Sequence, residues 1–153
     1  MVGTITPSHT KHTPTPSRDN LKEAQAIALQ GIKNQNYRFK IITENMTNSD
    51  SVSMVPGGDP YRRQQVAFQP KVDARAGVTT LQVQGLIPDQ TEFPKEYNPG
   101  HPGADADGFV KKPNVDRVVE TVDMINVQNI QKALNNVHRE TTTVRRMNID
   151  LMR

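Results

Sequence analysis

The chain has 153 residues, a hydrophobic fraction of 34%, aromatics at 5%, no Trp and a formal net charge of +3. A compact domain draws close to half its residues from apolar types, so this composition excludes a thick, self-sufficient core and implies disorder or a partner. Cys is absent, which removes disulfides, thiolate metal sites and cysteine nucleophiles together, and 16 acidic residues interspersed among 19 basic ones permit contact with nucleic acid without demanding it.

Residues 1–18 are rich in Thr, Ser, Pro and His, with Pro7, Pro14 and Pro16 interrupting any helix, and are expected to form a disordered leader. They lack the apolar stretch of a cleavable secretory signal. From Asp19 the texture changes. No proline occurs between Ser17 and Val55, and the apolar residues fall on a seven-residue ladder. Leu21, Ala28 and Ile42 occupy one rail, and Ile32, Phe39 and Met46 the other, with Gln25 and Gln35 as polar gaps. This is the a/d pattern of a heptad, and with Asp19 as N-cap it predicts a helix over 19–48 within a first segment ending at residue 50.

The segment 51–113 holds eight of the eleven prolines and seven of the nine glycines, which excludes a long helix there. Gln65-Val66-Ala67-Phe68 and Thr80-Leu81-Gln82-Val83-Gln84 alternate like strands, and Asp73-Ala74-Arg75-Ala76-Gly77 between them reads as the turn of a β-hairpin. Glu92 to Gly108 reads as an extended loop with turns at Asn98-Pro99-Gly100 and Asp107-Gly108.

Asn114, behind Pro113, is expected to cap a second helix over 114–153, a stretch with neither Gly nor Pro. Val115, Val118, Val122, Ile125, Ile130, Leu134, Val137, Val144, Met147 and Leu151 recur mostly three or four apart. The β-branched run Thr141-Thr142-Thr143-Val144 weakens its intrinsic propensity, so packing must supply order. The expected fold is therefore mainly α with a small β and loop middle, the two long terminal helices pairing as a coiled coil. The seam would set Leu21, Ala28, Ile32, Phe39, Ile42 and Met46 against Val118, Val122, Ile125, Leu134 and Val137. Met124, Val127, Ile149 and Met152 would lie off it, and apolar stripes left uncovered mark an interface. A monomeric helical hairpin with a loose loop is the plainer alternative.

No residue set declares chemistry. His9 and His12 stand in the Thr/Pro leader without the further ligands a metal needs, and His101 and His138 lack hydrolase partners. Asp105-Ala106-Asp107-Gly108 has the opening of a calcium loop, but Lys111 and Pro113 fall where oxygen ligands belong, so it reads as a turn. Gly57-Gly58-Asp59-Pro60 lacks the Lys-Ser/Thr of a phosphate loop. Asn45-Met46-Thr47 matches a glycosylation sequon but falls on a helical face, where packing is the better account. The basic pairs Arg62-Arg63 and Arg145-Arg146 read as solvated faces or inter-subunit ion pairs; no RNP-like motif or helix-turn-helix core accompanies them.

Four blocks, in matching order over residues 21–153, carry a family resemblance. Asn45-Met46-Thr47-Asn48-Ser49-Asp50-Ser51-Val52 resembles the Asn-x-Ala-Asn segment closing the first helix of flagellar rod, hook and junction proteins, with Thr47 where the family has Ala. The others are Gly58-Asp59-Pro60-Tyr61-Arg62 with Val66-Ala67-Phe68-Gln69, Tyr97-Asn98-Pro99 to Pro102, and Ala104-Asp105-Ala106-Asp107-Gly108-Phe109-Val110-Lys111-Lys112-Pro113-Asn114-Val115-Asp116. Together they resemble the flagellar basal-body rod proteins of the proximal-rod type, whose aromatic-Gln-Ala-Asn element is replaced here by Ile130-Gln131-Lys132-Ala133-Leu134.

That resemblance implies a structural subunit with no catalytic site and no cofactor, exported through the flagellar type III apparatus without cleavage. It would polymerise with copies of itself and other rod proteins into a torque-transmitting shaft that spans the periplasm and encloses an export channel. The rod adaptor and MS ring would lie at its base and distal rod subunits above. Neither nucleic acid nor membrane insertion is implied. Another rod paralogue, or a basic nucleic-acid-binding helical module, is the alternative.

Overall fold

A computed structural model describes residues 18–74 and 77–151. In chain order the elements are α1 (Arg18–Thr47), β1 (Gln64–Asp73), β2 (Val78–Pro88), β3 (Lys95–Tyr97), β4 (Phe109–Lys111) and α2 (Arg117–Asp150). Two long helices thus flank a small antiparallel β region. The leader reading lies outside the described residues except at Arg18, which is already helical, so Asp19 sits within the first turn and not before it. His9, His12 and Met152 also lie outside them.

The helices run side by side and antiparallel: Asn45 meets Glu120, Asn36 accepts from Gln131 Nε2 at 2.8 Å, and Gln25 accepts from Arg145 Nη1 at 3.5 Å. On α1 every ladder residue faces protein. Ala28 and Ile42 are buried, and Leu21, Ile32, Phe39 and Met46 are half-buried. Ile41, off the ladder, is buried as well, because α1 packs on the hairpin as well as on α2.

On α2 the expected pairing face is overturned. Val118 is 73% exposed, and Val122, Ile125 and Val137 are exposed too; of the predicted partners only Leu134 turns inward. The inward positions are Glu120, Met124, Val127, Gln131, Leu134 and His138, spaced alternately four and three apart, and Met124 and Val127 had been placed off the seam. The most apolar stripe loses because the helix is rotated by its anchors. Glu120, 0% exposed, is bonded to α1 and to the hairpin's leading edge, and that fixes which face turns in. Gly31 lets the helices approach closely: a Cβ there would stand 2.9 Å from Leu134 Cδ1.

The second helix begins later than expected. Asp116, not Asn114, is the N-cap, its Oδ1 accepting from Val118 N at 2.8 Å and Val119 N at 3.3 Å. Asn114 is engaged elsewhere, as described below, and Val115 precedes the helix. The threonine run does not break α2. Thr141, Thr142 and Thr143 turn their hydroxyls onto the carbonyls of Val137, His138 and Arg139 at 2.8–3.0 Å, sheltering themselves locally.

The hairpin is longer than its alternating cores suggested. Gln64 pairs with Pro88 and Asp73 with Val78, with a bulge between Ala67 and Phe68. Two residues of the predicted turn, Arg75 and Ala76, lie outside the described set; beside them Gly77 adopts a φ of +70°. Within the expected loop, Lys95-Glu96-Tyr97 pairs with Phe109-Val110-Lys111 in a second small antiparallel sheet. Tyr97 and Phe109 stack edge to face with centroids 5.3 Å apart.

Candidate assembly interface

Where α1 ends, the hairpin begins and α2 starts, a buried polar cluster ties three segments together. Asn45 uses both ends of its amide. Its Oδ1 accepts from Gln64 N and the Tyr61 hydroxyl, both at 2.9 Å, while Nδ2 donates to Gln64 O at 2.9 Å and Glu120 Oε2 at 3.2 Å. Glu120 Oε1 accepts from Arg63 Nε at 2.6 Å. The same guanidinium reaches Asp89 and Asp123, each at 3.4 Å. A buried carboxylate without a partner would cost several kcal/mol, of order 3–5, so Arg63 is what makes Glu120 tenable.

Asn114 extends the cluster. Its Oδ1 accepts from Arg63 N at 2.8 Å, and Nδ2 donates to Thr91 Oγ1 at 2.9 Å and towards the carbonyl of Asp89. Arg62 donates to the Asp89 carbonyl at 2.7 Å and lies 4.0 Å over the Phe93 ring. The Thr91 backbone N–H, the Thr91 hydroxyl and Arg63 hold the Asp89 carboxyl below its ordinary range. Burial, with Glu44 and Glu120 nearby, pushes the Tyr61 phenol up. For Arg63, the Glu120 and Asp89 partners outweigh burial and raise its already high value. Arg62 and Arg63 are therefore internal ties, and not the solvated faces or inter-subunit ion pairs that the sequence leads one to expect.

The other motif residues are turn builders. Asn48 donates to Glu44 O at 2.9 Å and accepts from Ser51 Oγ, stopping α1. Arg117, at the start of α2, donates to Ser49 Oγ at 2.6 Å and pairs with Asp50, joining the two helix ends. Asp105 Oδ1 accepts from Asp107 N at 3.1 Å and Phe109 N at 2.9 Å, while Asp107 itself is exposed. Gly108 takes a φ of +83°, with Tyr97 and Pro99 packed where a side chain would stand. Pro113 is buried just before Asn114.

The cluster leaves α2's outer face bare. Val118, Val119, Val122, Ile125, Val137, Val144, Met147 and Leu151 are all exposed. Of the residues predicted for assembly, the α1 set and Leu134 gather in the intra-chain seam and the remaining four gather on this outer face. Sequence reasoning missed Glu120 as an anchor. Its one local signal was a lone acid inside the apolar run Val118-Val119-Glu120-Thr121-Val122. Among the described residues no helix is long and apolar enough to cross a membrane.

No protein-family model matches the chain. Over 135 residues it is 38% identical to the flagellar basal-body rod protein FlgC of Agrobacterium fabrum, spanning 88% of this chain and 97% of that protein. It is 40% identical over 109 residues to the flagellar basal-body rod protein FlgC of Salmonella typhimurium, spanning 70% of this chain and 79% of that protein. With the flagellar basal-body rod protein FlgC of Borreliella burgdorferi it shares 32% identity over 124 residues, 70% of this chain and 81% of the relative.

Proposed function

Because the chain belongs to the FlgC family of flagellar basal-body rod proteins, and is a structural rod subunit and not an enzyme, we propose that it polymerises through its helices. Its partners are copies of itself and other rod proteins, the rod adaptor and MS ring below and distal subunits above. In the assembled rod α1 and α2 act as a coiled-coil pair, with Leu21, Ala28, Ile32, Phe39, Ile42, Met46 and Leu134 holding the pair together. Val118, Val122, Ile125 and Val137 then bury against neighbouring subunits. The rod so formed crosses the periplasm, transmits torque and encloses the export channel, and the subunit reaches it through the type III apparatus uncleaved.

The observation that carries this reading is the bare outer face of α2. Two exposed apolar patches on α2, Val118 to Ile125 and Val137 to Leu151, have no cover among the described residues, and such patches mark an interface. Averaging of purified basal bodies from cells with and without the gene tests it. Density for this subunit in the rod of the first and its loss from the second is the expected result. An intact rod in cells lacking the gene would remove the proposal.

A further inference from the structure

The two edges of the hairpin are not alike. Pro70 stands opposite Leu81 in the β1–β2 register. Proline has no N–H to give, so that pair sits at a non-hydrogen-bonded site of the antiparallel ladder, where both residues turn their backbone groups away from the partner strand. The outer edge of β1 is therefore blunted at Pro70. On β2 the same alternation turns the N–H and C=O of Leu81 outwards, together with those of Thr79 two residues earlier. Asn34 Nδ2 donates to that outward Leu81 carbonyl at 2.7 Å.

Beside this edge a groove of about 510 Å³ runs between the hairpin and the helix pair, lined by Ile27 and Asn34 of α1, Ile130 and Leu134 of α2, and Phe68 and Leu81 of the hairpin. Leu81 is 55% exposed, Ile27 49% and Ile130 40%, so three large apolar side chains converge on open space. Arg38 is the one charged residue on the groove's walls. A two-stranded hairpin is marginal by itself, and an apolar cleft alongside a strand edge is where an extended segment adds a strand.

We infer that the groove takes a segment of the chain's own leader: Val2–Thr6 adds to the outer edge of β2 as a third strand, with Ile5 seated between Ile27 and Ile130. Val2, Thr4, Ile5 and Thr6 are β-branched, none of them has a charged side chain to set against Arg38, and Pro7 ends the run. Reach allows the contact. From Arg18, where the described helix begins, Ile27 to Asn34 lie roughly 14–24 Å along α1. The proline-punctuated tether 7–17 spans up to roughly 34 Å at about 3.1 Å per residue. The family resemblance starts only at residue 21, so this contact is a property of the present chain and does not depend on how subunits assemble.

The chain has no Cys, so introduced pairs report cleanly. In the purified full chain, Ile5→Cys with Ile130→Cys should close an intramolecular disulfide about tenfold or more faster than Ile5→Cys with Ile125→Cys, whose second site is exposed outside the groove. Equal rates would overturn the contact, and so would a disulfide-linked dimer as the main product of the first pair, which would give the groove to a second copy. Amide hydrogen exchange supplies a test without cysteines. Ile5→Pro should speed exchange at Thr79 and Leu81 by about tenfold or more and leave the Thr80 amide, which faces β1, unchanged. Exchange at Thr79 and Leu81 that ignores the substitution would likewise overturn the third strand. Neither measurement uses the rod, so loss of the rod assignment would leave this contact standing, and loss of this contact would leave the rod assignment intact.

Discussion

Glu120 and Asn45 stand 75 residues apart in sequence and meet at 3.2 Å, the carboxylate of one helix accepting from the amide of the other. Both are buried, and both are tied to the segment that opens the hairpin, Glu120 through Arg63 and Asn45 through Gln64. Helix pairing, helix rotation and hairpin placement are thereby set at one point.

Glu120→Ala leaves Arg63 partly buried against Asp89 and Asp123 alone and strips Asn45 of an acceptor. Thermal or denaturant unfolding is expected to report a loss of about 3–5 kcal/mol. A variant of unchanged stability would mean that the cluster does not anchor α2.

Asn45→Asp tests the direction of the amide. The substituted oxygen would face the Gln64 carbonyl and the Glu120 carboxylate, both acceptors, so the cost is on the order of 3 kcal/mol at neutral pH. Part of it should return as the pH falls and one carboxyl protonates. Stability of the variant relative to the parent chain should therefore rise as the pH is lowered from 7 to 4, read by urea unfolding at stepped pH.

Ile125 and Val127 lie two residues apart on opposite sides of α2, one exposed and one buried. Ile125→Asp should change monomer stability by less than about 1 kcal/mol yet abolish motility, whereas Val127→Asp should cost about 4 kcal/mol or more. Normal swimming by the Ile125 variant would count against the outer face as an interface.

The Asp89 carboxyl sits below its ordinary range, chiefly because the Thr91 backbone N–H donates to it at 2.9 Å. A lowered folded value stabilises the chain above the unfolded value, near 4, and that contribution fades as the pH falls through the folded one. Asp89→Asn should flatten the acid limb of the stability curve below about pH 4, read by urea unfolding at stepped pH.

His138 faces the seam, and its Nδ1 is buried without a hydrogen-bond partner among the described residues. His138→Leu should raise stability by about 1 kcal/mol, since an apolar group removes an unmet polar demand. A lower melting temperature would show that the imidazole is held by something else.

Much of the fold was legible from the residues. The proline-free heptads of α1, the alternating strands and the Gly/Pro-free stretch of α2 each carry a period that only one element satisfies. What was not legible was rotation and capping. Counting apolar residues on α2 selects the Val118–Val122–Ile125 stripe, but the inward face is chosen by a salt bridge to Arg63, 57 residues away. Asn114 and Asp116 are equally good caps locally; Asn114 is lost to that role because Arg63's backbone N–H claims it. The β3 strand, Lys95-Glu96-Tyr97, has no apolar alternation to announce it. Long-range polar partnerships decide each of these, and no local pattern encodes them.

The charged anchor at Glu120 forbids sliding. Moving α2 by one heptad, about 10 Å, would offer equally apolar neighbours but strand the carboxylate away from Arg63. Strictly hydrophobic helix pairs tolerate such slips; this one has a detent. A machine part loaded along and around its axis gains stiffness from that notch, since a push on either end must strain the whole body before the helices can creep.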